Sequence, residues 1–267
     1  MYRLKKQYRY FPVLIILVLL FSCNTKDNSK KEDIVTDPKA MDKKIAGNIS
    51  SALKLASGNA GKMDDSTLFK MIDVIKEFYR ETDYQPVWSS TEKWQPMADS
   101  LYRFIIHAEL EGLFPADYHV DELQSLKKRL DNDSLNRMDA ALWTRADLLL
   151  SDGFMQIVKD LKLGRLQKDS VSLNKDSVLQ NKFYTAVLKE LIEKRLFTKT
   201  LNALQPAHKG YWELKQGIGG FVDSMDRRIY THVSYPYKKG NAKDSLFFIK
   251  VLQKRLFESN CIDFTDK

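Results

Sequence analysis

The 267-residue sequence has few of the residue types that build metal and disulfide sites. It contains 2 cysteines and 4 histidines, and the histidines show no close metal-binding spacing. Two widely separated cysteines do not make a structural zinc site of the usual kind. The sequence also lacks a phosphate-binding Gly-rich loop, a dinucleotide fingerprint and a G-x-S-x-G turn. We therefore predict no metal, no cofactor and no catalytic residue in this chain.

Acidic residues are absent from the first 22 residues, which contain Arg3, Lys5, Lys6 and Arg9. The formal net charge of the chain is +8, but without these four residues the balance is 39 basic to 35 acidic. Such a mixture of signs is ordinary for the solvated surface of a folded domain. Because the basicity belongs to the N-terminus, we predict no binding to nucleic acid.

A long apolar run is also missing, since "PVLIILVLLF" has only about ten residues. A membrane-spanning helix needs roughly 20, so a signal peptide with its basic start is the better interpretation. Residues 20–23, Leu-Phe-Ser-Cys, resemble the lipobox of bacterial lipoproteins, although Phe21 is bulkier than the usual occupant. The resemblance implies a signal peptide at residues 1–22 and lipid attachment to Cys23. An uncleaved anchor, or a stray cysteine in an ordinary signal peptide, is the alternative.

Lipid on Cys23 would make the membrane a partner of the protein. One acyl chain gives only marginal binding, so the several chains of a lipoprotein are expected to anchor it. We expect an exported lipoprotein of the cell envelope that faces the periplasm. Asn24 directly after the cysteine favours the outer membrane.

Residues 23–65 are rich in Lys, Asp, Asn, Ser and Gly and poor in aromatic residues, which is typical of a flexible tether. Within this segment, "AGNISSALKLASGNAG" contains many Gly and Ser residues, and we predict no helix there. The folded domain is then expected to begin at Ser66, as the N-cap of a helix over 67–83.

Hydrophobic spacing predicts a mostly α fold, an irregular helical domain over 66–232. A second helix is predicted between Leu101 and Leu110, and no proline occurs between 116 and 205. Apolar stripes predict two further helices, one with Trp143, Ala146, Leu150, Phe154, Ile157 and Leu161 that ends at Gly164, and one with Leu179, Phe183, Val187, Leu191 and Ile192. In the first of these, Arg145, Gln156 and Lys159 are predicted to face away from the stripe.

The C-terminal part has weaker patterns. Three glycines, Gly217, Gly219 and Gly220, are expected to interrupt a last helix, and residues 228–235 give the best strand signal. An amphipathic helix is predicted within 244–267, with Leu246, Ile249, Leu252 and Leu256 aligned. One isolated helix of this length is marginal in water, so we expect it to dock or to belong to a further domain.

Asp147 is the most notable ionisable residue, because its helical angle lies near the apolar stripe, whereas Asp152 and Asp160 are predicted to point away. A buried carboxylate is costly unless it is paired or hydrogen-bonded. Asp147 is therefore either a general acid or base, or a structural salt bridge or cap. We favour the structural role, since no second catalytic carboxylate can be placed beside it.

Two other positions have weaker chemical signals. Cys261 has no neighbouring His and no Gly turn, so we expect a half-buried free thiol rather than a nucleophile. Asp117, His119 and Asp121 cluster after Pro115, where a helix cap is a better interpretation than a metal site.

Four stretches in order resemble the scaffold domain of large multi-domain bacterial L,D-transpeptidases: "FYRETDYQPVWSS", "EGLFPADYH", "ADLLLSDGFMQIVKDLKLGRL" and "LQPAHKGYWELKQGI". The terminal "SLFFIKVLQKRLFESNCI" is similar to the opening helix of their small peptidoglycan-binding domain, which would be truncated in residues 244–267. The resemblance implies a cell-wall protein with peptidoglycan as partner. Full-length relatives cross-link peptide stems through a cysteine in a Ser-His-Gly-Cys type motif. No stretch of this chain matches that motif, so we expect either the N-terminal part of such an enzyme or a remnant without transferase activity, inactive alone in both cases.

Two other interpretations remain. A non-enzymatic envelope adaptor would bind peptidoglycan, or a protein partner that the sequence does not identify, through exposed aromatic residues such as Trp88, Trp94 and Tyr211. For these aromatics we favour core packing over an exposed binding role. An independent hydrolase would depend on Asp147.

Overall fold

The computed structural model describes residues 33–65, 67–165, 179–234 and 244–263. About 68% of these residues are helical and the sheet is very small, which confirms the mostly α prediction. The signal segment, Cys23 and Ser66 lie outside the described residues. The chain divides into a first unit that ends at Tyr211 and a second unit that begins at Trp212.

Helices follow one another along the chain with one short hairpin between the second and the third. The α-helices are α1 Pro38–Gly58, α2 Ile72–Glu81, α3 Pro96–Ile106, α4 Val120–Asn132, α5 Ser134–Arg137, α6 Ala140–Leu163, α7 Asn181–Lys194, α8 Phe197–Asn202, α9 Lys209–Ser224 and α10 Asp244–Glu258. Two short 3₁₀ helices, Ala108–Glu111 and Pro115–Tyr118, lie between α3 and α4. Strands β1 Ser89–Ser90 and β2 Lys93–Trp94 pair antiparallel, with Ser89 opposite Trp94.

Helix α6 is the centre of the first unit. Helices α1, α2, α3, α4 and α7 all pack against it, and it is buried almost all round. All six apolar residues of its predicted stripe are buried, and the helix ends before Gly164, as predicted. The expectation for Gln156 was wrong, because neighbours cover α6 on several sides and bury this side chain too.

The predicted flexible tether is wrong over Pro38–Gly58, which forms helix α1. The Asp37 side chain caps it by accepting the Lys39 N–H at 3.0 Å. Its buried residues recur every three to four positions, namely Met41, Ile45, Ile49, Leu53 and Ala56, and they join the common core. A Cβ at Gly47 would meet nothing within 4 Å, so this glycine lies on the open face of α1. Its low helix propensity therefore does not affect the packed face. Packing of the buried face overrides it.

Residues 33–35 are also part of the first unit. The Val35 N–H donates to Met138 O at 2.7 Å, and the Ala140 N–H donates to Asp33 O at 3.0 Å. Asp139 accepts the Asp33 N–H at 3.1 Å and caps α6 through the Ala141 N–H at 2.8 Å. The start of α6 is therefore fixed by a segment that lies over 100 residues earlier in the chain.

Four further features differ from prediction. Helix α2 begins at Ile72 rather than at 67, and Ile192 on α7 is exposed. Helix α9 continues through Gly217, Gly219 and Gly220, because glycine lowers helix propensity by only about 1 kcal/mol relative to alanine. Residues 228–234 form no strand with any described residue, and a strand needs a partner.

The second unit has its own polar contacts. Glu258 at the end of α10 accepts the Thr231 N–H and the Thr231 hydroxyl, both at 2.6 Å. The Arg255 guanidinium lies 3.8 Å from the centre of the Tyr230 ring. The predicted terminal helix is present as α10, where Leu252 and Leu256 are half-buried and Ile249 is exposed. The side chain of Leu246 lies outside the described residues.

Candidate functional site

Asp147 on α6 is fully buried and connects three segments of the first unit. Its carboxylate accepts the Tyr79 hydroxyl from α2, the Val87 N–H at 3.1 Å and the Trp88 N–H at 2.9 Å. One turn further along α6, the Ser151 oxygen lies 2.8 Å from the Tyr79 hydroxyl and accepts the Trp88 indole N–H at 2.9 Å. Asp147 and Ser151 therefore hold α2 and the loop over 85–88 against the central helix.

Burial raises the pKa of Asp147 to about 6, although the hydrogen bonds from Tyr79, Val87 and Trp88 oppose this rise. Burial, followed by the neighbouring Asp147 charge, raises the pKa of Tyr79 well above its ordinary value. Asp147 is 1% exposed, and its carboxylate binds buried donors rather than facing solvent. The geometry supports the structural role that the sequence analysis favoured over general acid or base catalysis.

A second buried carboxylate, Asp152, was predicted to point away from the packed side of α6, and that prediction was wrong. It accepts the Met71 N–H at 2.8 Å and the Gln156 amide N–H at 2.6 Å. His119 Nε2 lies 2.7 Å from Oδ2 of Asp152, the same oxygen that accepts from Gln156. His119 has a φ of 59°, at the turn between the Pro115–Tyr118 helix and α4. The His–Asp contact gave no signal in the hydrophobic spacing of α6, which indicates only one apolar face.

The remaining acidic candidates also make structural contacts. Asp117 pairs with Arg165 at 2.6 Å and with Lys70 at 3.8 Å. Asp160 accepts the Tyr118 hydroxyl at 2.8 Å, and its half-buried position corrects the prediction that it points away. Burial raises the pKa of Asp160, and the hydrogen bond from Tyr118 opposes the rise. Within the described ranges, no three His, Cys, Asp or Glu side chains lie together as metal ligands would.

The aromatic residues proposed for an adaptor are less accessible than that hypothesis requires. Trp88 is fully buried, as the favoured role in core packing predicts, and it is not accessible to a partner of an adaptor. Trp94 packs edge-on against Trp143 at 4.9 Å between ring centres, with Lys127 5.0 Å from the Trp94 ring. Tyr211 is half-buried and donates its hydroxyl hydrogen bond to Gln205 at 2.9 Å.

Cys261 is exposed rather than half-buried as predicted. Its Sγ lies 3.6 Å from the carbonyl oxygen of Ser259, at the end of the segment that follows α10. Hydrogen bonding to a nearby carbonyl does not activate a thiol, which requires a base or a positive charge beside it. Cys23, the predicted lipid attachment site, lies outside the described residues.

A cleft in the first unit has a volume of about 330 Å³. Its lining comes from α1, α2, the 85–90 segment, the start of α3 and the end of α7, and includes Asp42, Phe78, Trp88, Ser89, Ile192 and Arg195. Asp42 accepts the Ser90 hydroxyl at 2.9 Å and the Thr91 N–H at 2.8 Å. Thr91 and Glu92 have positive φ values of 50° and 61°, as a two-residue hairpin turn requires.

The architecture defines a helical domain whose buried polar groups cross-link its own elements. Residues 73–218 match the family described as Scaffold domain, over more than half of the chain, and the protein belongs to this family. The predicted resemblance to a scaffold domain is thereby confirmed. Searches of curated proteins and of solved structures gave no match. No helix in the described part of the chain is long and apolar enough to cross a membrane.

Proposed function

We propose that this chain is the N-terminal scaffold part of an L,D-transpeptidase-type cell-wall protein. The observation that carries the proposal is the Scaffold domain match over residues 73–218, which coincides with the four stretches that resemble such enzymes. In this role the chain positions a catalytic domain on peptidoglycan and supplies no catalytic cysteine itself. The buried bonds of Asp147 and Asp152 support the role, because they fix loops and helices to one central helix.

The transpeptidase context is tested by reading the gene beyond codon 267. The expected sequence completes a peptidoglycan-binding domain and then encodes a catalytic motif with His and Cys. A reading frame that continues into an unrelated domain would contradict the proposal. The purified chain alone is expected to form no cross-linked muropeptides from peptidoglycan fragments, and measurable cross-linking would also count against it.

The proposed setting is the periplasmic side of a lipid-anchored envelope protein, with Cys23 as the attachment site. Mass spectrometry of the mature protein tests this directly. The expected N-terminal residue is an acylated Cys23, and Cys23→Ser should prevent acylation and should remove the protein from the membrane fraction. A mature chain that retains residues 1–22, or carries an unmodified Cys23 thiol, would contradict the proposal.

A non-enzymatic envelope adaptor is the second candidate. The observation that favours it is the exposed apolar surface of the second unit, where Leu214, Phe221 and Phe247 are all largely accessible. Pull-down of the full chain on purified sacculi is the test. Retention that is lost in Phe221→Ser and Phe247→Ser would support the adaptor, whereas absence of retention would contradict direct binding to peptidoglycan.

A further inference from the structure

We propose that the 330 Å³ cleft of the first unit binds a short zwitterionic peptide that carries an apolar side chain. The Scaffold domain match assigns no ligand to this cleft. The proposal is independent of the cell-wall function above, because it depends only on the chemistry of the cleft walls.

The size and the apolar wall of the cleft suit a peptide of two or three residues. Small-molecule sites are typically clefts of roughly 300 to 1,000 Å³ with mostly apolar walls and a few polar groups. Phe78, Trp88, Met97 and Ile192 provide the apolar part of the lining. Burial of an apolar side chain against these residues would provide the hydrophobic part of the binding energy.

Two opposite charges lie on separate elements of the lining. Asp42 belongs to α1, and its two hydrogen bonds from Ser90 and Thr91 leave further acceptor positions on the carboxylate. Arg195 directly follows α7, and its guanidinium forms no ion pair with any described residue. Its backbone N–H donates to Leu191 O at 2.9 Å, which fixes the position of the residue at the helix end.

An ammonium group beside Asp42 and a carboxylate beside Arg195 would form charge-assisted hydrogen bonds. A zwitterionic peptide carries both groups on one small molecule. A neutral saccharide of the same size has neither, so it would leave both charged side chains of the cleft unused.

The third observation is an unsatisfied polar group in the cleft wall. Ser89 is only 3% exposed, and its Oγ has no hydrogen-bond partner among the described residues. Buried polar side chains nearly always have a partner, and because the residue Ser89 belongs to the cleft lining, we assign the missing partner of its Oγ to the ligand. The amide of a peptide bond can donate to this oxygen or accept from it.

Binding is tested on the full chain by isothermal titration or NMR with the dipeptide Leu-Ala, its N-acetyl form and its C-terminal amide. Saturable binding is expected for Leu-Ala, with a loss of about tenfold or more when either end is blocked. Arg195→Gln and Asp42→Asn should each lower the affinity for Leu-Ala by a similar factor. Ser89→Ala should weaken it by about threefold to tenfold, because it removes one neutral hydrogen bond.

Matched controls are available on α4, where Lys128 and Asp121 are exposed and lie outside the cleft. Lys128→Gln and Asp121→Asn should leave the affinity unchanged, and circular dichroism should show native helix content in every variant. Arg195→Lys keeps the charge and should retain more affinity than Arg195→Gln. Failure of the folded chain to bind Leu-Ala at millimolar concentration would overturn the proposal. So would equal affinity for the three probes, or equal affinity of wild type and Arg195→Gln.

Discussion

The two units of this chain place their apolar residues very differently. In the first unit, large side chains such as Trp88, Tyr79 and Phe154 are fully buried around α6. In the second unit, Val222 is the one buried residue among those described, whereas Ile229 is 99% exposed. Hydrophobic burial is the dominant favourable contribution to folding. We therefore expect the first unit to account for most of the chain's conformational stability.

Removal of the Asp147 carboxylate is the most severe test of this difference. Asp147→Ala leaves the Val87 and Trp88 N–H groups and the Tyr79 hydroxyl without their acceptor inside the core. We expect the free energy of unfolding of the first unit to fall by about 3 to 5 kcal/mol, as for other broken buried polar networks. Urea denaturation followed by tryptophan fluorescence measures this value.

Tyr79→Phe is the graded control, because it removes one donor and keeps the carboxylate with its two backbone partners. Its expected cost is about 1 to 2 kcal/mol. Equal stability of Asp147→Ala and the wild type would show that this network is not a determinant of the fold. It would also reopen a chemical role for the buried carboxylate.

Truncation of one leucine in each unit compares the two regions directly. Leu53 on α1 is 1% exposed and Leu214 on α9 is 78% exposed. Leu53→Ala should cost about 2 to 4 kcal/mol because it leaves a cavity in the core. Leu214→Ala should change stability by less than about 0.5 kcal/mol, as expected for an exposed position. Similar effects of both substitutions, measured by urea denaturation, would remove the distinction.

The same pair of variants tests the corrected view of α1. A flexible tether would tolerate Leu53→Ala without loss, whereas a core helix would not. The sequence favoured a tether because its Gly and Ser content lowers helix propensity, which is a local property. The buried face of α1 receives its stabilisation from α6, about 100 residues later in the chain, and a propensity argument does not include that contribution.

The pH dependence of the first unit offers a third test. Burial raises the pKa of Asp147 from its ordinary value of 3.8 to about 6. The folded state therefore binds the proton more tightly than the unfolded state does. The contribution of Asp147 to stability is fully present below pH 3.8 and is lost as the pH rises through 6. Each unit of pKa shift corresponds to about 1.36 kcal/mol, so the free energy of unfolding changes by at most about 3 kcal/mol over this pH range.

Asp147→Asn isolates the contribution of Asp147 ionisation, because an asparagine side chain does not ionise. The unfolding free energy of the wild type relative to Asp147→Asn should fall between pH 4 and pH 6.5 and should then level off. Parallel pH profiles of the two proteins would contradict the raised pKa. A difference that grows with rising pH would have the opposite sign and would indicate a lowered pKa.

The parts that sequence reasoning predicted share one property, namely that they depend on a single helix. The apolar stripe of α6, its end at Gly164 and the position of Asp147 beside that stripe all follow from a period of 3.6 residues. Asp152 was placed wrongly because one face was assumed to be polar. In the structure, His119 and the Met71 N–H approach that face from loops that are distant in sequence.

The cleft could not be predicted for a related reason. Asp42, Ser89 and Arg195 lie in three separate segments of the sequence, and no spacing rule connects them. The turn residues Thr91 and Glu92 lack the Asn-Gly pattern that usually marks a two-residue hairpin, so the hairpin had no signal in the sequence either. Such sites become visible only when the helices that carry them are packed.

The smallest expected effect on stability comes from alanine in place of a glycine in the second unit. Gly217 lies within α9, and a Cβ there would meet nothing within 4 Å. Gly217→Ala should therefore stabilise α9 by about 0.5 to 1 kcal/mol through higher helix propensity and a less flexible unfolded state. Circular dichroism during thermal unfolding would show a small gain in the helical signal of the second unit.

Gly61 in the first unit provides the matched substitution with the opposite sign. It has a φ of +86°, and a Cβ there would lie 2.6 Å from the backbone oxygen of Phe69. Gly61→Ala should therefore destabilise the first unit by more than Gly217→Ala stabilises the second, because the backbone around Phe69 must move. If both alanines were stabilising, the tight packing between the end of α1 and the segment before α2 would be contradicted. Gly61, beside the backbone oxygen of Phe69, would then give no evidence that the first unit is more closely packed than the second.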